Sequence, residues 1–295
     1  MSAAPGPARW PADYRVTIVG LGLMGGSIAR ALAPHRPAAL WAVDRDPAVL
    51  ERARQEGVIT RGFTDAREPL GRSDLVIVCL YPGDAIRWIN ENRVHMQKSA
   101  VITDICGVKT SLVDGVTPLG DGEPDYVPGH PMAGSERWGY GESSASLFAG
   151  CNYILTPLPR NRPESISLVK ALARTLGAAR VVVTDAATHD EYIAFTSQIP
   201  HVLSVAYMHA SEGRPVTPFA GGSFGDVSRV AFINERIWTE LFIRNRDRLT
   251  PEIRKLARRL IELADLIDGE DAPALAASMR EARRMKEAYD AADHR

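Results

Sequence analysis

The stretch Tyr14–Ala33, YRVTIVGLGLMGGSIARALA, decides the fold. Its opening is a β-branched run, Gly20, Gly22 and Gly25 follow at once in the spacing G-x-G-x-x-G, and a helical pattern runs on from Ser27. Strand, glycine turn and helix in that order meet a specific physical demand. Gly20 makes the tight turn, Gly22 lets backbone amides approach a pyrophosphate, Gly25 lets helix pack on strand, and the helix N-terminus faces the phosphates. Gly20, Gly22, Leu23, Met24 and Gly25 are therefore candidate cofactor contacts.

Working outward, a second strand over Ala39 to Val43 ends in Asp44, nineteen residues past Gly25. An acid there accepts hydrogen bonds from a ribose diol and repels a 2'-phosphate, which favours NAD over NADP. Arg45 pulls the other way, since a guanidinium either stacks on adenine or meets a phosphate, so NADP stays open. Asp46-Pro47 is an N-cap with proline at the first helical position, starting a helix that ends near Gly57. Asp74 to Leu80 and Ala100 to Ile105 are near-continuous apolar runs of the kind buried inside a parallel sheet. The alternation is that of a doubly wound α/β sheet, whose ligands lie beyond the carboxyl ends of the strands. Leu80, Tyr81, Gly107 and Lys109 fall there. Lys109 reads either as a cofactor contact or as a surface lysine at a helix start. Asn152 to Thr156, Pro163 to Leu176 and Arg180 to Thr184 are expected to complete the sheet as strand, helix and strand, placing the domain boundary near Asp185.

Between these elements lies VPGHPMAGSERWG (Val127–Gly139), with one imidazole, one hydroxyl, one carboxylate and little helix or strand logic. It is expected to be an active-site loop. Pro131 restricts His130 to extended geometry, and His130 is the side chain able to exchange a proton near neutral pH.

From Ala186 the strand signal stops. Ala187 to Ala210 is helical with Pro200 inside it, so a kink is expected around Ser197 to His201; His201 is then either a packed histidine or one turned into a cleft. Gly221 to Asp226 is expected to be a flexible loop leading into a helix through roughly Asn245, on which Ile233, Ile237 and Leu241 form an inward stripe. Arg229 continues that ladder one step earlier, either paired with a buried acid or placed for an anionic ligand such as a carboxylate. Ile253, Leu256, Leu260, Leu263 and Ile267 suit a packed helix pair, and Leu275, Met279, Ala282 and Tyr289 supply a last helix. So many apolar faces on so few helices point to a homodimer.

With 295 residues, the chain has room for two domains, and 45% apolar with 24% charged residues is the balance of a soluble globular protein. The division expected is a tail over 1–13, a dinucleotide-binding domain over 14–185 and an all-α domain over 186–295. Thirty-five basic against thirty-six acidic residues give a net charge of -1, which supplies no field for nucleic acid or anionic membrane. Cys79, Cys106 and Cys151 have neither disulfide nor metal spacing, so no metal and a reducing, cytoplasmic setting are expected. No run approaches the roughly 20 apolar residues of a membrane span.

Four segments together resemble the prephenate and arogenate dehydrogenase family of tyrosine biosynthesis: GLGLMGGS (Gly20–Ser27), GHPMAGSE (Gly129–Glu136), SQIPH (Ser197–His201) and GGSFGDVSR (Gly221–Arg229), with Trp238 beyond. The resemblance implies a Rossmann-type domain followed by a helical dimerisation domain, and an oxidative decarboxylation of a small cyclohexadienyl carboxylate. It implies that His130 accepts the substrate hydroxyl proton, that Arg229 holds a carboxylate, and that Ser135, Glu136, His201, Asp226 and Trp238 line or order the substrate site. One position departs from the pattern: Gly107 stands where many relatives carry a serine that helps orient the reacting histidine and hydroxyl. Prephenate is the leading substrate, and arogenate or 4-amino-4-deoxyprephenate stay open.

Overall fold

The β-branched run after Tyr14 forms β1 (Arg15–Val19), and the glycine turn delivers it into α1 (Leu23–Leu32), which starts earlier than the helical pattern because Gly22 is already the N-cap. The structure is a computed structural model in which residues 12–117, 120 and 122–293 are described; the expected tail, 12 and 13 apart, lies outside them. There follow β2 (Ala39–Val43), α2 (Pro47–Gln55), β3 (Arg61–Phe63), α3 (Arg67–Leu70), β4 (Leu75–Val78), α4 (Pro82–Asn92), β5 (Val101–Asp104), α5 (Thr110–Gly115) and β6 (Asp125–Tyr126). Asp46 caps α2 as its sequence demands, accepting from the Ala48 amide at 2.9 Å.

These strands make a six-stranded sheet in the order β3-β2-β1-β4-β5-β6, parallel at every pair. The order reverses beside β1, which puts the Gly20 turn at the switch point where such sheets bind ligands. Central strands carry the core: Val16, Ile18 and all of Leu75–Val78 are fully buried.

The chain then forms β7 (Gly129–Pro131), β8 (Asn152–Leu155), α6 (Pro163–Thr175) and β9 (Arg180–Val183). The last three do not extend the main sheet. β8 and β9 join β7 in a second one, β7-β8-β9, in which β7 runs antiparallel to β8 and β9 parallel to it. Hence Gly129–Pro131 within Val127–Gly139 is strand, with His130 opposite Ile154, while Val127, Pro128 and the part from Met132 onward are irregular. Pairing by the apolar β8 overrides the poor strand propensity of Gly-His-Pro. Tyr153, Leu155, Leu168 and Leu172 still join the core of β1 and α1, so the second sheet packs on the first.

The helical half begins with α7 (Ala186–Ile193), capped by Asp185, whose carboxylate accepts from the Thr188 amide at 2.9 Å. The kink required by Pro200 is a π-helical segment, Ala194–Gln198, ahead of α8 (Ile199–His209). A π-bulge re-routes the backbone bonds that a proline removes. Next come α9 (Gly222–Ser228) and α10 (Glu235–Arg244). The glycine-rich segment expected as a flexible loop is thus helical. It is not continuous with α10 either: a 3-10 turn at Arg229–Ala231 intervenes, and Asn234 caps α10 afresh by accepting from Ile237. Arg229 therefore stands outside the apolar ladder.

The chain divides into two compact units, the first ending at Arg246 and the second beginning at Asp247. The second holds most of α11 (Arg246–Asp268) and all of α12 (Ala272–Asp293). Several of its apolar positions stay open in the single chain, with Leu260, Ile261, Ile267, Met279 and Tyr289 all more than half exposed. In the first unit Tyr192, Phe195, Phe219 and Phe232 are likewise exposed. None of the described helices is long and apolar enough to cross a membrane.

Candidate active site

The glycine turn is built on close approach. Gly20 has φ +87°, a left-handed conformation costly for any side chain, and its amide donates to the Val43 carbonyl at 2.8 Å. At Gly25 a Cβ would stand 1.9 Å from the Gly20 carbonyl oxygen, so α1 lies directly on the turn. At Gly22 a Cβ would meet no atom within 4 Å. Asp44 braces this arrangement from β2, one oxygen accepting from the Leu21 amide at 2.6 Å and the other from Asp46 at 2.9 Å. Leu23 and Met24 open α1, Arg45 is exposed beside Asp44, and Leu80 and Tyr81 follow β4 where α4 begins. These residues thus ring the carboxyl ends of β1, β2 and β4. The cradle, with its helix N-terminus, fits the pyrophosphate of a dinucleotide.

Lys109 is not at that rim. It is fully buried, its ammonium 2.5 Å from the equally buried Asp104, so the surface reading is wrong and its charge is spent inside the fold. The other Asp104 oxygen accepts from the Tyr126 hydroxyl at 2.8 Å.

His130 is half-buried on β7, and its Nδ1 lies 2.9 Å from Nε2 of His189, the two rings meeting edge to face. His189 Nδ1 is in turn 2.8 Å from Asp190 Oδ1. Asp190 also accepts from the amides of Lys109 (2.7 Å) and Thr110 (2.8 Å) at the start of α5. Burial pushes the His130 pKa well below the usual 6.5, and His189 and the Lys109 charge push the same way, so the ring is neutral near pH 7. The other ring nitrogen, Nε2, faces Gly107, whose Cβ position is 3.6 Å away; Leu241 is 3.4 Å from that same point.

A second group gathers around His201. Its ring stacks on Trp238, centroids 3.6 Å apart, and its Nδ1 donates to the Ser197 carbonyl at 2.8 Å, a contact from α8 back to the π-helical segment. Burial lowers its pKa, the Ser197 carbonyl opposes that, and Arg229 and Glu136 are close enough to act on it with opposite signs. Arg229 is ion-paired with Glu136, their side chains 66% and 35% exposed, so its acid is a carboxylate of the loop and not a core residue. Ser135 accepts from the Arg137 amide at 3.0 Å and shapes that loop. Asp226 lies exposed on α9, with no hydrogen bond or ion pair to this group.

Sequence reasoning missed His189 and Asp190. One signal was present: His189 stands four residues before the buried Ile193, which puts an imidazole on the inward face of α7. Its partnership with His130, fifty-nine residues away, is purely tertiary.

Residues 28–183 match the family model described as prephenate dehydrogenase, nucleotide-binding domain, and residues 185–281 match the one described as prephenate dehydrogenase, dimerization domain. The chain is 28% identical over 281 residues to the cyclohexadienyl dehydrogenase of Zymomonas mobilis, covering 92% of this chain and 94% of that one. It is 26% identical over 265 residues to the prephenate dehydrogenase of Bacillus subtilis, covering 87% and 71%. In fold it is similar to the crystal structure of Aquifex aeolicus prephenate dehydrogenase in complex with hydroxyphenyl propionate and NAD+, with a TM-score of 0.82 at 24% identity, over 95% of this chain and 99% of that one.

Proposed function

From the chain's membership of the prephenate dehydrogenase family, we propose that it oxidatively decarboxylates prephenate to 4-hydroxyphenylpyruvate with NAD, His130 accepting the substrate hydroxyl proton. The observation that carries this reading is a neutral imidazole whose Nε2 faces away from its protein partner. His130 removes the proton of the C4 hydroxyl as that carbon is oxidised. A nicotinamide cofactor bound at the glycine turn supplies the hydride acceptor. Loss of the ring carboxylate as CO2 then aromatises the ring, and the phenolate oxygen recovers the proton from His130. Proton acceptance by a placed histidine accounts for about 10²- to 10⁴-fold in rate.

Arg229 is the carboxylate contact in this reading. Its Glu136 partner is exchanged for the substrate, and His201 with Trp238 forms the wall beside it. Because Arg229 is largely exposed, the low end of a charge-assisted hydrogen bond applies, about 1.5 kcal/mol. Arg229→Ala is expected to raise KM about tenfold and leave kcat within about threefold. An unchanged KM would return Arg229 to a purely structural pair with Glu136.

NAD is favoured over NADP because a carboxylate, Asp44, stands at the end of β2 against the turn, where it would repel a 2'-phosphate. Asp44→Asn keeps an oxygen for the Leu21 amide and deletes the charge, leaving the exposed Arg45 to meet a 2'-phosphate. The NAD-to-NADP ratio of kcat/KM is expected to fall by at least about tenfold, about one Coulombic step of 1.4 kcal/mol. An unmoved ratio would mean that Asp44 only braces the turn.

The dimerisation model over residues 185–281 and the exposed apolar positions of α11 and α12 support a homodimer. Light scattering should give a mass near twice 32.2 kDa, and a monomer at micromolar concentration would oppose it. Three free thiols suit a reducing, cytoplasmic setting.

Gly107 favours keeping a second substrate in view. It contributes no hydroxyl beside His130 Nε2. NADH formation from prephenate, arogenate and 4-amino-4-deoxyprephenate, compared as kcat/KM, tests the assignment; prephenate is expected to lead. No turnover of prephenate alongside turnover of either amino compound would overturn the substrate.

A further inference from the structure

Behind His130 lies a line of three groups that the proton transfer does not itself use: His189, Asp190 and the amides that open α5. Their hydrogen bonds leave little freedom for protons. Asp190 accepts two backbone amides besides His189, and although burial alone raises its pKa, these bonds hold it below the usual range. A carboxylate accepts and cannot donate, so His189 Nδ1 carries N–H. Burial lowers the His189 pKa against the pull of Asp190, so the ring is neutral and its Nε2 is an acceptor. His130 Nδ1 must then be the donor across the 2.9 Å contact. A neutral His130 with its proton on Nδ1 has a bare lone pair on Nε2, on the side facing Gly107.

Charge around the pair points the same way. Lys109 and Asp104, both fully buried, cancel each other at 2.5 Å. Asp190 is 1% exposed and has no lysine or arginine partner among the described residues. Two carboxylates and one ammonium leave one buried negative charge in line with the histidines. It is balanced when His130 becomes an imidazolium.

We propose that His189, anchored by Asp190, is the positioning residue for His130: it fixes the tautomer with a bare Nε2 and shares, through the Nδ1 hydrogen bond, the charge that proton acceptance creates. This rests on His130 being the proton acceptor. The role parallels that of the aspartate in a serine-protease triad, where an amide in its place selects the wrong tautomer and costs about 10⁴ in kcat. Here one more imidazole separates the carboxylate from the reacting ring.

The tautomer can be observed in the wild-type protein. In full-length protein with ¹⁵N-labelled histidine, the His130 signals, assigned by their loss in His130→Asn, are expected to show a protonated Nδ1 and a bare Nε2 at neutral pH. A proton on Nε2 would overturn the proposal. Asp190→Asn keeps an oxygen for the Lys109 amide and His189 Nδ1 and removes the charge that balances the His130 imidazolium, so kcat should drop by about 10- to 100-fold, the step of a charge-assisted hydrogen bond, with KM and NAD affinity within about threefold. Should that variant fold poorly, His189→Gln and His189→Leu carry the comparison. Glutamine keeps an acceptor for His130 Nδ1 and is expected to retain at least about tenfold more kcat than leucine, the step of one hydrogen bond. Equal kcat in both variants and wild type, beside an inactive His130→Asn, defeats the positioning role alone. Wild-type kcat in His130→Asn defeats the acceptor assignment itself, whatever the tautomer.

Discussion

Replacing His130 by asparagine is expected to lower kcat by about 10³-fold while NAD affinity stays within about threefold of wild type. The asparagine amide nitrogen falls close to the position of the imidazole Nδ1, so it still donates to His189 Nε2 and β7 stays in register with β8. What disappears is Nε2, the nitrogen facing Gly107. Steady-state rates together with an NAD titration separate loss of chemistry from loss of binding. The pH profile adds a second reading. Because burial, His189 and Lys109 all depress the His130 pKa, the acid limb of kcat should lie below the ordinary histidine value of 6.5. Activity is then full above that value and is lost only as pH falls through the lowered one. A wild-type limb centred above 6.5, or a variant within about tenfold of wild-type kcat, would remove His130 from the proton path.

Legibility followed how local each determinant was. The turn at Gly20, strands β1, β2, β4 and β5 and the cap Asp46 are set by neighbours within a few residues, and sequence reveals them. β3 and β6, three and two residues long, are too short for any alternation to register and exist because a parallel neighbour pairs with them. The second sheet escaped for a related reason: β7 is a strand only because β8 lies against it. At Gly221–Asp226 three glycines concealed a seven-residue helix. The site divides along the same line. His130, His201, Trp238, Arg229 and Glu136 stood out by residue type and by family resemblance. His189 and Asp190 did not, since their meaning is a contact across fifty-nine residues.

The glycine turn offers a sharper test of the cofactor half of the site, because two of its glycines are needed for different reasons. At Gly25 an alanine Cβ would lie 1.9 Å from the Gly20 carbonyl oxygen, and relief to an ordinary contact near 3.4 Å moves α1 by about 1.5 Å. Overpacking of this kind costs about 1–3 kcal/mol, and misplacement of about 1 Å at a binding centre costs about 10²-fold. Gly25→Ala is therefore expected to lower Tm by several degrees and NAD affinity by about 100-fold together. Gly22→Ala behaves differently. The backbone there, φ -79° and ψ -155°, is open to alanine, and the added methyl meets no protein atom within 4 Å. Its Tm should match wild type, while NAD affinity falls, since the methyl stands where the pyrophosphate must approach the helix N-terminus. Calorimetric Tm beside NAD titration distinguishes the two. Unchanged NAD affinity in Gly22→Ala would mean that the pyrophosphate does not come to this turn, and a stable Gly25→Ala that binds NAD normally would mean that α1 can lift off β1 without disturbing it.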